Sequence, residues 1–201
     1  MIREVVNRKW VDNKRDFTYL HSPIEDSLIV KKRKGGYEVK YLVQDTYADN
    51  SDLNMDEELF IVNYHRDFFI RRDEIIKEDD VRSWYQGERI EQEKAYHIFK
   101  LSCYIYSGVA LSLGYNFAYD AQEWNTSHVG VVLVSKKSWK TRKKALKVAE
   151  SLIEHWNMHL RGDVYCLVRE KYDDKKKRVS HDIVGGYYGY EEALKELAGD
   201  W

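Results

Sequence analysis

Proline and cysteine are almost missing from this chain. Of 201 residues one is proline, Pro23, and two are cysteine, Cys103 and Cys166. A single proline leaves no Pro-rich linker, so one compact domain is expected over 23–201, preceded by an N-terminal extension over 1–22. Neither cysteine lies in a C-x-x-C spacing. Both sit in apolar, strand-like text and read as buried free thiols of a cytosolic protein. No apolar run reaches the ~18 residues that a spanning helix needs. The opening MIREVVNRKW has no apolar centre and does not read as a secretion signal. Glycine-rich phosphate loops, a Gly-x-Ser-x-Gly elbow and a Cys–His dyad spacing are also missing; GGYYG at 185–189 is none of these.

There is ample material for a core. Hydrophobic residues make up 43% and aromatic residues 14%, with sixteen tyrosines and six tryptophans, which excludes a disordered chain. The net charge is −1, so the whole protein is no polycation. Charge is nevertheless segregated. Residues 43–94 hold 15 acids and 7 bases, and residues 136–178 hold 14 bases and 6 acids. The two patches can face separate partners or form solvated surface.

The pattern along the chain predicts an α+β protein, an antiparallel or mixed sheet with helices packed mainly on one face. SLIVKKRKGGYEVKYLVQD reads as a hairpin about Gly35-Gly36. ELFIVNYH (58–65) has strand length. RRDEIIKEDDVRSWYQG and ERIEQEKAYHIF look helical. LSCYIYSGVALSL (101–113) is β-rich around Gly108, and VGVVLVS (129–135) lacks polar alternation, as a central strand does. A helix is expected over 136–160. At about 100° per residue, Lys140, Lys143, Lys144 and Lys147 fall on one side. Ala145, Leu146, Ala149, Leu152, Ile153, Trp156 and Leu160 fall on the other, and Arg161-Gly162 ends the helix. A long hairpin turning near 173–177 and a short closing helix complete the chain.

From about Val43 onward the chain resembles a widespread family of uncharacterised proteins encoded by bacteriophages and other mobile elements. The resemblance rests on VQDTYADN (43–50), YIYSGVALS (104–112), EWNTSHVGVVLVSKKSW (123–139), EHWNMHLRGDVYCLVRE (154–170) and HDIVGGYYGYEEAL (181–194). These match, in order and spacing, family motifs of the type WDSGQVGFIYV, YDQYLxGDVYGYV and DSCWGFYG. Two departures stand out. The family's Trp-Asp-Ser-Gly-Gln is Trp124-Asn125-Thr126-Ser127-His128 here, and its Asp-Ser-Cys-Trp is Asp182-Ile183-Val184-Gly185. Gly130, Leu160, Gly162, Asp163, Tyr165, Gly186, Tyr188 and Gly189 persist, and they read as turn and packing residues. The resemblance implies a viral origin more than any activity.

No catalytic residue, cofactor or metal ligand is assigned. His155 and His159, four apart, share a helix face but lack the zincin glutamate, so a boundary pair is expected. Tyr64, His65, Arg66 and Asp67 concentrate polar chemistry at a strand end, and His65 with Asp67 and the acidic loop 45–58 is the enzyme alternative, a metal-dependent nuclease or nucleotide hydrolase. The favoured expectation is a viral accessory protein that binds and inhibits a host defence protein or ribonucleoprotein complex, of anti-CRISPR or antirestriction type, in the cytoplasm of the infected cell. Its anchor is expected in Tyr115, Phe117, Tyr119 and Trp124, with Asp52, Asp56 and Glu57 steering the encounter. The other alternative is nucleic-acid binding in phage replication or packaging, through Lys140, Lys143, Lys144 and Lys147. The sequence leaves the oligomeric state open.

Overall fold

A computed structural model describes residues 17–48, 53, 57–65, 74–106, 108–114, 117 and 125–199. The chain divides into two compact units, Met1–Ala48 with Gly162–Trp201, and Asp49–Arg161. Each holds a four-stranded antiparallel sheet with its own helices, an α+β architecture. The expected single sheet is therefore two. Among the described residues no helix is long and apolar enough to cross a membrane.

The first unit orders its strands β1-β2-β7-β8. β1 (Ile29–Arg33) and β2 (Gly36–Gln44) form the expected hairpin, closed by Lys34 and Gly35. β7 (Val164–Tyr172) and β8 (Arg178–Tyr188) form the long hairpin about 173–177. One sheet face packs Val39, Tyr41, Val168 and Tyr172 with Phe17 and Leu28. The other carries Leu42 and Leu167 under Ala193 and Leu197 of α3 (Tyr190–Ala198). Phe17, inside the stretch read as an extension, is buried in the first of these clusters.

Charge is buried in this unit together with its partners, as it must be to avoid a large desolvation penalty. Glu170 is fully buried. Its carboxylate accepts the Tyr172 hydroxyl at 2.6 Å, the Leu20 backbone N–H at 2.9 Å and Arg178 Nη1 at 3.2 Å. Burial, then this carboxylate, pushes the Tyr172 phenol well above its ordinary range. Glu38 is held by Arg33 at 3.0 Å and Arg169 at 3.5 Å. Burial alone would raise the Glu38 pKa, but the Arg33 hydrogen bond and the charges of Arg169, Arg33 and Lys40 bring it below the ordinary 4.5.

The second unit orders its strands β3-β6-β4-β5. These are β3 (Leu59–Asn63), β6 (Thr126–Ser135), β4 (Tyr96–Ile105) and β5 (Val109–Leu113). β6 is central, buried from Val129 to Ser135, as its unbroken apolar text predicts. One face lies under α2 (Arg142–Leu160) through Ala145, Ala149, Leu152, Ile153 and Trp156. The other packs Phe60, Val62, Val131 and Leu133 against Ile76 and Val81, the latter on α1 (Glu78–Tyr85).

Four expectations are corrected here. The long helix starts at Arg142, not Lys136, because Thr141 caps it: its hydroxyl accepts the Lys144 N–H, and 136–141 is not helical. Leu146 is 37% exposed, although the wheel placed it with the apolar side. The segment ERIEQEKAYHIF is no α-helix. Only Glu91–Lys94 make a 3₁₀ turn, and Tyr96 onward is β4, paired with β6. The helix expected over 71–87 is α1 alone, eight residues long among those described. Its N-terminal turn is closed by the Lys77 N–H donating to Asp80.

Leu152 is 7% exposed against 37% for Leu146. Leu152→Ala should therefore cost about 2–5 kcal/mol in urea unfolding, and Leu146→Ala under ~0.5 kcal/mol. Glu38 gives a pH test with a definite sign. A carboxyl lowered in the native state adds stability that is fully present above its ordinary value of 4.5 and is lost as pH falls through the native value. Acid unfolding of Glu38→Gln should show a shallower stability loss below that pH than the parent. Equal slopes would contradict the assignment.

Candidate functional site

The ends of β3 and β6 and one face of α1 enclose a cleft of about 620 Å³ in the second unit. Its lining includes Tyr64 and His65 after β3, Val81, Arg82 and Tyr85 along α1 with Gln86 just after it, and Ser127 to Gly130 on β6. This volume is in the usual range for a small-ligand site.

The geometry begins at Gly130. This residue pairs with Asn63 on one side and Leu101 on the other. A Cβ there would lie 1.9 Å from the Val62 carbonyl oxygen, so only glycine allows β3 to approach this closely. Immediately before it the β4–β6 register shifts: Leu101 faces Gly130 but Ser102 faces His128, leaving Val129 as an extra residue. The bulge places the His128 ring against Ser102, with Nδ1 2.9 Å from Oγ.

Tyr85 supports the same imidazole from the helix side. The two ring centroids are 4.8 Å apart, and Lys100 Nζ lies 4.9 Å from the Tyr85 ring centroid. The Tyr85 hydroxyl donates to the Gly130 carbonyl at 2.6 Å. Tyr64 donates its hydroxyl to the Ile76 carbonyl at 2.9 Å. The His65 N–H donates to Asn63 Oδ1 at 2.7 Å, while Asn63 Nδ2 is buried with no hydrogen-bond partner. On the rim, Arg82 Nη2 donates to Glu78 Oε1 at 2.9 Å, both ends being exposed.

Ser102 next to His128 has the composition of a nucleophile–base pair but not its accessibility. Ser102 is fully buried, so no substrate reaches its Oγ, and the pair instead orients the imidazole. Neither thiol is poised for reaction. Burial pushes Cys103 up to about 11, and burial together with the neighbouring Asp45 carboxylate does the same to Cys166. Both are free; Cys103 is buried and Cys166 half-buried. Among the described residues no group of three His, Cys, Asp or Glu is placed to hold a metal ion. His155 is exposed, and His159, half-buried, leans edge-on to Trp156 with centroids 6.1 Å apart.

The sequence-predicted residues are scattered relative to this cleft. Tyr64 and His65 of the polar strand end line it, whereas Arg66 and Asp67 lie outside the described residues. Tyr115, Tyr119, Trp124, Asp52 and Asp56 also lie outside them. Phe117 is half-buried beside Tyr104, with ring centroids 5.7 Å apart, and Glu57 is exposed. Lys140, Lys143, Lys144 and Lys147 are all exposed, Lys140 before α2 and the others on it. Tyr85, Ser102 and His128 had drawn no functional reading. The one sequence signal for the last two was a polar residue at each of two points in otherwise apolar strands.

The chain matches no family model, and no curated protein or solved structure matches it at a significant level.

Proposed function

We propose that this protein acts by binding: a mobile-element accessory protein that occupies a host defence protein or ribonucleoprotein complex, of anti-CRISPR or antirestriction kind, in the cytoplasm of an infected cell. The setting comes from the resemblance of its five ordered motifs to phage and mobile-element proteins. The observation that carries the binding reading is the cleft, whose wall is committed inward. Both tyrosines donate to backbone carbonyls, and the His128 ring lies against a buried hydroxyl. Groups fixed in this way give a preformed shape, which lowers the ordering cost of recognition. Ser102, the hydroxyl beside the imidazole, is sealed from solvent, which favours recognition over turnover.

A protein that works by occupancy inhibits at a stoichiometric ratio. Purified protein titrated into a reconstituted defence complex should abolish its activity at the equivalence point, with the target chemically unchanged. Ser127 is exposed on the cleft rim, so Ser127→Trp should obstruct the cleft without unfolding the chain. The variant should require ~10-fold more protein for the same inhibition. Inhibition at a small fraction of the target concentration, with a cleaved target or consumed nucleotide, would overturn the proposal.

A further inference from the structure

We infer that the first unit carries a separate recognition surface, a basic end of its sheet that binds the phosphate backbone of duplex nucleic acid without regard to base sequence. Two segments far apart in the chain build it. KKRK (31–34) leads into the β1–β2 turn, and KKKR (175–178) closes the β7–β8 turn. Because β2 pairs with β7 from Tyr37 and Tyr172 onward, the two turns leave the sheet at the same end. Gly36 holds them side by side: a Cβ there would lie 1.9 Å from the Tyr172 carbonyl oxygen and 3.0 Å from the Asp173 Cα. Residues 31–38 and 169–178 together hold ten bases and four acids.

The buried acids are committed to a few of these cations. Glu38 takes Arg33 and Arg169, and Glu170 takes Arg178. Asp173 accepts the backbone N–H groups of Lys175 and Lys177 and shapes the turn. Lys31 and Lys171 pair with Glu38 from either side and share its sheet face, yet the carboxylate is held by the two arginines. Lys31, Lys32, Lys34, Lys171, Lys175 and Lys177 remain. None of these six side chains makes an ion pair or a hydrogen bond, and all but the half-buried Lys31 are exposed.

Unpaired lysines gathered at one end of a sheet repel one another, and a polyanion relieves that repulsion. Lysine is depleted in protein–protein interfaces, whereas nucleic-acid interfaces are much more positive, which favours phosphates over an acidic protein surface. Four strands about 4.8 Å apart span ~14 Å before side chains are added, more than the ~12 Å of a major groove, so this end lies across the backbone and does not enter to read bases. Proteins that hold single strands stack bases on exposed aromatic rings. Here Phe17 and Tyr172 are buried and Tyr37 is packed against them, so the duplex, with its denser charge, is the better match.

The test is fluorescence anisotropy of short labelled DNA duplexes of two unrelated sequences, titrated with the full chain. Both sequences should bind within ~3-fold of one another, and log K should fall with log salt at a slope of about −3 or steeper, because each neutralised phosphate contributes about −0.9. Lys32→Gln with Lys175→Gln should flatten that slope by ~2. Lys32→Glu, Lys34→Glu, Lys175→Glu and Lys177→Glu together should weaken binding by ~30-fold or more without lowering the unfolding temperature, since all four side chains are exposed. Reversing Lys143, Lys144 and Lys147 on α2 in the same way should change affinity by less than ~3-fold. A slope near zero would overturn the inference, and so would a single strand binding more tightly than the duplex. Polyglutamate competing as well as duplex at equal charge would point to an acidic protein instead, and a loss on reversing the α2 lysines but not the hairpin lysines would move the surface to that helix; either result contradicts the assignment. The cleft takes no part in this assay, and Ser127→Trp should leave duplex binding unchanged, so failure here and failure of the inhibition reading are separable.

Discussion

The second unit depends on one close approach, the contact of Gly130 with the backbone at Val62 and Asn63. It lets β3 lie against β6 at the point where β6 is also bulged against β4. From that point three consequences follow in sequence. Tyr64 continues the pairing past β3, its N–H donating to the Val129 carbonyl at 2.8 Å, which brings its side chain and that of His65 to the cleft. Tyr85 reaches the Gly130 carbonyl and fixes the end of α1 over the sheet. The extra residue at Val129 lets His128 meet Ser102. A side chain at 130 would push apart the strands that place all of these groups.

The elements legible from the text were those whose pattern and partners are local. The hairpin expected about Gly35-Gly36, whose turn lies one residue earlier at Lys34-Gly35, the hairpin about 173–177, the central strand and the apolar side of α2 follow from periodicity and turn chemistry within a few residues. The misread segment is instructive. Glu91–Lys94 carries good helix formers, yet Ile98, Leu101 and Cys103 are buried by pairing with a strand roughly thirty residues away in sequence, and that tertiary contact overrides local propensity. Leu146 failed for a different reason: a wheel gives the direction of a side chain, not how wide the covering surface is.

The candidate site was half legible. A strand followed by Tyr64 and His65 announces polar groups at a strand end, and those two do line the cleft. Their companions Tyr85, Ser102 and His128 come from a helix and two other strands, joined by a register shift of one residue. No spacing rule conveys such a bulge, because it is defined by the partner strand. Ser102 was visible as a hydroxyl in the apolar text LSCYI, but its burial and its imidazole partner were not. In the first unit, Glu170 reads as one charge among several in VREKYDD. Its role as a buried acceptor for Tyr172, Arg178 and the Leu20 N–H appears only once β7 is set against β8.

The Gly130 contact sets the arrangement of the second unit, and paired unfolding of two glycine variants measures it most directly. Gly108 has nothing within 4 Å of an added Cβ, whereas Gly130 has the Val62 carbonyl oxygen at 1.9 Å. Gly130→Ala should lose at least ~2 kcal/mol in urea unfolding, as an overpacked backbone contact demands, while Gly108→Ala should stay within ~0.5 kcal/mol of the parent. Equal stability of the two variants would mean that β3 and β6 do not pack as closely as described, and the derivation of the cleft from that contact would be wrong.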